Sequence, residues 1–362
     1  MASFRRRLAL ADATERARRH ADFDGHEEVW EATDPESGLH AFIAVHDTAL
    51  GPALGGCRMW PYASPEAALG DALRLSRGMT YKAALAGLDF GGGKAVIVGD
   101  PKRDKSEARL RAFGAAVEAL GGRYVTAEDV GTGVADMDLI ALETEHVVGT
   151  TARGEDPSFM TALGVAEGIK AALRHRLGAE SLAGVTVAVQ GLGHVGAALC
   201  ERLAQAGARL VVADVDGARA ERAARGLGAR GVAPDGIFDE PADAFAPCAL
   251  GAVLDDATIP RLRAAVVAGS ANNQLARERH GYALKERGIL YAPDYAINAG
   301  GLISASMSLL GEDPRGAGAW AKTCQIGPTL SEIFRRADAD GLPPHAVADR
   351  LARERIRRRR AA

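Results

Sequence analysis

Gly191-Leu192-Gly193-His194-Val195-Gly196 follows an apolar run that reads as a strand, Val185–Val189, and opens a segment with helical spacing over 194–206. A second strand pattern, Arg209–Ala213, ends at Asp214, roughly 20 residues past the middle glycine. This order of strand, glycine-rich turn, helix, strand and acid constrains the chain more than any other feature. The glycines let the backbone close on a pyrophosphate at a helix N-terminus, and the acid accepts hydrogen bonds from ribose hydroxyls. Asp214, with Asp216 close behind, also repels a 2′-phosphate, which favours NAD over NADP. Leu192 and Val195 belong to the same turn, and His194 reads as a surface residue at the helix start.

The pattern continues on both sides. A helix is expected from Ser158 to about residue 176, and short apolar runs at Ala244–Leu250, Ala264–Ala268 and Ile289–Ala292 extend the alternation. Strands alternating with helices predict a parallel sheet with helical crossovers. Ser270-Ala271-Asn272-Asn273 follows one of these strands, at the carboxyl end where such sheets bind ligands, although two turn asparagines read equally well. Residues 147–157 are polar and glycine-rich, suited to a hinge, and 362 residues are enough for about two domains.

In the first part, Ser64-Pro65-Glu66 reads as a helix start, with Leu69, Ala72, Leu73, Ser76 and Met79 at helical spacing and Gly87 as the stop. Lys82 then sits late on that helix. The glycine pairs and triplets at Gly55-Gly56, Gly91-Gly92-Gly93 and Gly300-Gly301 read as corners, where backbone turns tightly or approaches a ligand. The triplet delivers Lys94 to a strand, Ala95–Val98, followed by a helix over 106–120 and a strand over Arg123–Thr126. It is not a Walker A loop, because Leu88 and Ala95 occupy places that need glycine and a hydroxyl. Lys82 and Lys94 are flanked by apolar residues rather than by a charge run. Facing one cleft, such a pair lowers a lysine's pKa, so that one accepts a proton while the other holds a carboxylate. Asp129, in Ala127-Glu128-Asp129-Val130-Gly131, is either a partner for a substrate ammonium or a helix cap.

Composition removes several function classes. Of the residues 47% are hydrophobic and 25% charged, with a formal net charge of -3, so no overall field draws the chain to nucleic acid or a membrane surface. There is no apolar run of about 18 residues, and Leu8–Ala11 is too short to make Arg5, Arg6 and Arg7 a signal-peptide start. A cytoplasmic protein is expected. Cys57, Cys200, Cys248 and Cys324 are widely spaced and read as buried reduced thiols, with no metal site. Arg357–Arg360 reads as a solvated helix end.

With these residues in view, the chain resembles the glutamate, leucine, phenylalanine and valine dehydrogenases, leucine dehydrogenases above all. The resemblance runs from about Asp24 to Ile356 and rests on long blocks, among them Gly51–Trp60, Gly78–Lys82, Gly91–Lys94, Gly122–Gly131, Ala246–Gly251, Gly269–Leu275 and Tyr291–Gly301. It implies a two-domain α/β fold. An N-terminal α/β catalytic and oligomerisation domain would span 1–148, with a C-terminal helix over about 340–362 packing back on it, and a Rossmann-type NAD-binding domain would span 149–339, the two flanking a cleft. It implies Lys94 as catalytic base, Lys82 on the substrate α-carboxylate, Asp129 on the amino group, and Asn273, Gly55 and Met79 fixing the substrate. Cys248, Ala249 and Asn272 would join the glycine turn and Asp214 on the cofactor. The implied reaction is NAD-dependent reversible oxidative deamination, releasing ammonia and a 2-oxo acid, in a homo-oligomer.

The side-chain pocket of that family corresponds to Leu54, Ala127, Leu302 and Ala305, all apolar here. Glutamate-using relatives carry lysine and serine at the Leu54 and Ala305 positions, so a side-chain carboxylate would be buried here without a partner. Branched-chain amino acids are therefore expected, with phenylalanine, or a non-catalytic NAD-binding sensor, as the alternatives. The chain departs from the family pattern at Phe159-Met160 before Thr161, at Met307-Ser308, and through 312–325.

Overall fold

The computed structural model describes residues 8–153 and 156–361, so Arg5, Arg6, Arg7 and the Gly154-Glu155 part of the expected hinge lie outside the described residues. The chain divides into two units: Met1–Asp156 with Ser308–Gly311 and Ala352–Ala362, and Pro157–Met307 with Glu312–Leu351. Among the described residues no helix is long and apolar enough to cross a membrane.

The first unit is built on six strands, β1 (Ala9–Asp12), β2 (Glu28–Asp34), β3 (Leu39–Asp47), β4 (Ala53–Trp60), β5 (Gly91–Val98) and β6 (Tyr124–Glu128). Their order is β1-β2-β3-β5-β4-β6. Strands β1, β2, β3 and β5 pair antiparallel in succession, whereas β4 runs parallel to both β5 and β6. Strand β3 shows no alternation because it is central and buried on both faces, so Ala41–Val45 is a continuous apolar run. Helix α1 (Pro65–Leu85) starts where expected: Ser64 accepts a hydrogen bond from the Ala67 N–H, with proline in the first turn. Helix α2 (Glu107–Ala119) is capped in the same way by Ser106.

The period-2 geometry of β3 and β5 sends successive side chains to opposite faces. Ile43, Val45, Ala95 and Ile97 pack with Leu110, Phe113 and Val117 of α2. Phe42, Ala44 and Val96 pack with Leu69, Ala72 and Leu73 of α1. Lys94 therefore shares the α1 face with Val96.

Gly55-Gly56 and Gly91–Gly93 are not corners; they lie inside β4 and β5. A Cβ on Gly92 would run into the Thr80 backbone nitrogen, one on Gly55 into the Gly93 carbonyl, and one on Gly93 would sit 2.6 Å from the Tyr124 ring. Glycine is required there because helix and neighbouring strands come too close for any side chain.

The second unit holds β7 (Thr186–Gln190), β8 (Arg209–Ala213), β9 (Arg230–Gly231), β10 (Ala244–Pro247), β11 (Val266–Val267) and β12 (Leu290–Tyr291), all pairs parallel, in the order β12-β11-β10-β7-β8-β9. Helices α3 (Ser158–Leu177), α4 (His194–Gln205), α5 (Gly217–Leu227) and α7 (Ala317–Cys324) belong to it, as does α6 (Gly300–Leu309) up to Met307. Strand order reverses between β7 and β10, a switch point of the kind that opens a crevice at the strands' carboxyl ends.

The Gly300-Gly301 pair is likewise no free corner, since a Cβ on Gly300 would run into the Met160 carbonyl of α3. Beside it, Met160, Leu163, Met307 and Ala319 form one buried cluster. At its edge the Phe159 and Trp320 rings lie 6.0 Å apart, with the Arg202 guanidinium carbon 4.1 Å from the first ring centroid and 5.4 Å from the second. The positions at which the chain departs from the family pattern thus meet in space.

Helix α8 (Pro344–Ala361) starts in the second unit and ends in the first. There Arg353 donates to Tyr81 Oη at 2.8 Å, and Arg355 donates to the Ala84 carbonyl at 2.6 Å and the Leu88 carbonyl at 2.9 Å. Arg355 thereby adds a cation to carbonyls at and just beyond the end of α1, where it complements the helix dipole. The basic end of α8 is exposed, yet Arg360 reaches Asp47 at 2.8 Å.

Candidate active site

In the first unit the residues singled out from sequence sit on three parallel strands and α1. Leu54 and Gly55 lie on β4, Lys94 on β5, Ala127 on β6 with Asp129 just past it, and Met79 and Lys82 on the last turns of α1. Lys94 is only 5% exposed. A buried ammonium needs a counter-charge, and Asp129 supplies it, with Nζ 2.9 Å from Oδ2. Asp129 caps no helix; the next one begins after Gly133. A Cβ on Gly56 would strike the Glu128 carbonyl and stand 3.0 Å from the Asp129 Cβ, so this strand glycine lets the chain at Glu128-Asp129 lie close.

A third ion completes the arrangement, one that sequence reasoning did not single out. Arg58 on β4 donates from Nε to the same Asp129 oxygen at 3.0 Å and from Nη1 to Asp71 Oδ2 at 3.0 Å. Asp71 also accepts from the Tyr62 hydroxyl at 2.6 Å and from Arg74 at 3.2 Å. Arg58 stood in view inside the Gly51–Trp60 block. Asp129 is 71 residues away in sequence and is brought beside it by the pairing of β4 with β6, while Asp71 comes from the first turns of α1. Burial works against ionisation of Asp129, but Lys94 and Arg58 outweigh it and hold its carboxyl down at about 2. Both cations engage Oδ2, which leaves Oδ1 as the acceptor for a ligand. Cys57, beside the pair, is a buried thiol pushed up to about 11 by that burial, and is no nucleophile.

In the second unit the predicted cofactor residues converge on the carboxyl ends of β7, β8, β10 and β11. The three glycines of the turn differ physically. Gly191 has φ +93°, and a Cβ there would lie 2.8 Å from that of Ala249; a Cβ on Gly193 would meet nothing; one on Gly196 would strike the Gly191 carbonyl and lie 3.4 Å from Cys248. Tight turn, open backbone and close helix packing are the properties a pyrophosphate cradle needs. The residues present therefore fit a dinucleotide.

Asp214 accepts from the Leu192 N–H at 2.6 Å and from the Asp216 N–H at 2.8 Å, bracing the glycine turn while keeping acceptor capacity. Arg219 stands 3.9 Å from Asp214 and 3.4 Å from Asp216, and so partly offsets the negative charge read there from sequence. With His194, which is exposed, and Arg222, it lines a cavity of about 710 Å³ between α4 and α5.

Asn273 has φ +51°, the left-handed conformation asparagine tolerates, as the turn reading expects. Asn298, not singled out from sequence, donates to Asn272 Oδ1 at 2.8 Å and to the Ser270 carbonyl at 3.0 Å, fixing that loop. Leu302 and Ala305, three apart on α6, share a half-buried face, whereas Ile303, Ser306 and Met307 point into the unit. Of the cysteines, Cys57 and Cys200 are buried as expected, but Cys248 and Cys324 are partly exposed. Cys248 follows the end of β10 and Cys324 closes the last turn of α7, where the chain nears the surface.

The family model described as Glu/Leu/Phe/Val dehydrogenase, dimerisation domain, matches residues 26–146. The one described as Glutamate/Leucine/Phenylalanine/Valine dehydrogenase matches residues 155–224 and 221–315. A leucine dehydrogenase of Thermoactinomyces intermedius is 53% identical over 334 residues, covering 91% of each chain. A phenylalanine dehydrogenase of Bacillus thermotolerans is 48% identical over 342 residues, covering 92% of this chain and 89% of its own. Among solved structures, an L-tryptophan dehydrogenase from Nostoc punctiforme superposes with a TM-score of 0.82 at 45% identity, covering 93% of this chain and 97% of its own.

Proposed function

The chain belongs to the Glu/Leu/Phe/Val dehydrogenase family and is an amino-acid dehydrogenase; on that premise we propose that it uses NAD to deaminate branched-chain L-amino acids, leucine, valine and isoleucine, reversibly to 2-oxo acids. The observation that carries this reading is the buried Lys94–Asp129 ion pair, 2.9 Å long, on a face shared with α1. A protein that merely binds a dinucleotide has no use for a desolvated lysine held against a carboxylate.

The Gly191–Gly196 turn, Asp214, Cys248, Ala249 and Asn272 would hold the dinucleotide, whose nicotinamide ring supplies a two-electron acceptor for the hydride lost from Cα. The chain's own residues do the rest. Lys82 binds the α-carboxylate, and Asn273, Gly55 and Met79 orient the substrate. Lys94, as the free amine, takes a proton from water as its oxygen adds to the substrate imine carbon. Asp129 holds the substrate nitrogen and relays to it the proton that Lys94 took from water; Lys94, free again, accepts the hydroxyl proton as ammonia leaves and the carbonyl forms.

The apolar set Leu54, Ala127, Leu302 and Ala305 supports an aliphatic side chain and opposes glutamate, whose second carboxylate would cost several kcal/mol to bury unpaired. The leucine dehydrogenase at 53% identity supports the same choice. Assembly as a homo-oligomer through the first unit is part of the proposal, supported by the dimerisation-domain match over 26–146.

The test is NADH formation from NAD with leucine, valine, isoleucine, phenylalanine and glutamate, by the wild type and by Lys94→Ala. Turnover on the aliphatic substrates, none on glutamate, and a loss of about 10²–10⁴-fold in Lys94→Ala with NADH binding intact are expected. Phenylalanine as the best substrate would overturn the aliphatic assignment. Silence on every substrate would overturn the enzymatic one.

A further inference from the structure

We propose that Arg58 is a positioning residue for the deamination: it clamps the Asp129 carboxylate and serves as its permanent counter-charge while Lys94 gives up and regains its proton. The inference rests on the reading of Lys94 as the base. A base must spend part of each cycle as the neutral amine, and during that time Asp129 loses one of its two cations. A buried carboxylate with no counter-charge takes up a proton or moves toward water. A guanidinium keeps its charge throughout.

The geometry suits this task. Arg58 is gripped at both edges, Nε on Asp129 at 3.0 Å and Nη1 on Asp71 at 3.0 Å, so its plane cannot swing. Asp71 is itself fixed by Tyr62 at 2.6 Å and by Arg74 at 3.2 Å. Among the titratable groups facing the pair, Cys57 on β4, Tyr124 on β6 and Tyr62 before α1 are all kept neutral by burial. Arg58 is thus a permanent cation on Asp129. Lysine in its place would bring the charge without the two-edged grip.

The experiment compares Arg58→Met, Arg58→Lys, Asp71→Asn and Lys94→Ala in thermal melting, NADH binding and the pH dependence of oxidative deamination. In Arg58→Met, kcat should fall roughly tenfold to hundredfold, the loss of one charged hydrogen bond. Removing a positive neighbour favours the protonated lysine, so the acidic limb of kcat/KM should move up by about one pH unit. Arg58→Lys should restore most of the pH limb and part of kcat, and Asp71→Asn should shift both in the direction of Arg58→Met by less. If Arg58→Met does not fold, the lysine and Asp71 variants carry the same test. A folded, NADH-binding Arg58 variant with wild-type kcat and pH limb overturns the proposal while Lys94→Ala remains inactive. Turnover by Lys94→Ala overturns the base assignment itself, whatever Arg58 does.

Discussion

The two units prepare their parts of the chemistry by opposite means. In the first, glycines are crowded out by neighbouring backbone, and the space gained goes to buried charges: Lys94, Asp129, Arg58 and Asp71 alternate in sign through contacts of 2.9 to 3.0 Å. In the second, Gly193 is left facing open space, and the preorganised groups are backbone N–H dipoles braced by Asp214. A charge chain is strong only while dry and fully paired. A cradle of amides tolerates water and waits for its ligand. The same residue type, glycine, therefore marks packing at Gly55 and Gly92 and access at Gly193.

The sharpest way to break this contrast is a pair of alanine substitutions. Gly92→Ala drives a methyl into the Thr80 backbone and should cost more than about 3 kcal/mol, enough to unfold the first unit. Gly193→Ala should leave stability within about 0.5 kcal/mol while weakening NADH binding about tenfold. Urea denaturation and NADH fluorescence titration read the two effects, and equal melting of both variants would erase the distinction.

Acid should act next in size. His26 and His46 touch edge to face beneath α1, and burial lowers both to about 4 from an ordinary 6.5. The unfolded chain therefore binds more protons between these values, so stability is full above about pH 6.5 and is lost as pH falls toward 4, by a few kcal/mol. In the second unit burial also lowers His345, but without a second histidine against it. Hydrogen exchange at pH 7 and pH 5 should show protection falling further in α1 than in α3. Equal falls would place the acid sensitivity elsewhere.

The smallest effect expected is in specificity. Ala305→Val adds two methyl groups to the half-buried face of α6 and should change the ratio of kcat/KM for leucine and valine by about 1–3 kcal/mol, with stability almost untouched. An unchanged ratio would remove Ala305 from the substrate pocket.

How much of this was legible follows from the range of each cause. The dinucleotide turn could be read because its glycines, strand and acid are local, and α1 because Ser64-Pro65 announces its own start. The antiparallel strand β3 could not, since a central strand buried on both faces hides the period-2 signal. The Gly91–Gly93 triplet was misread because crowding by Thr80, Tyr124 and Asp47 comes from distant segments, whereas a corner is a local inference. Arg58 escaped for the same reason. Nothing within its own strand says that Asp71 and Asp129 will flank it.

The cluster of Met160, Leu163, Met307 and Ala319, edged by Phe159, Trp320 and Arg202, bears on heredity and engineering alike. Arg202 lies over both exposed rings, and its Nη2 has no hydrogen-bond partner among the described residues, so the aromatic faces contribute to holding the guanidinium in place. Exchanging a single member for a relative's residue would strand the others. These positions form one heritable block, and a chimaera that joins this chain to a cousin should carry all of them or none.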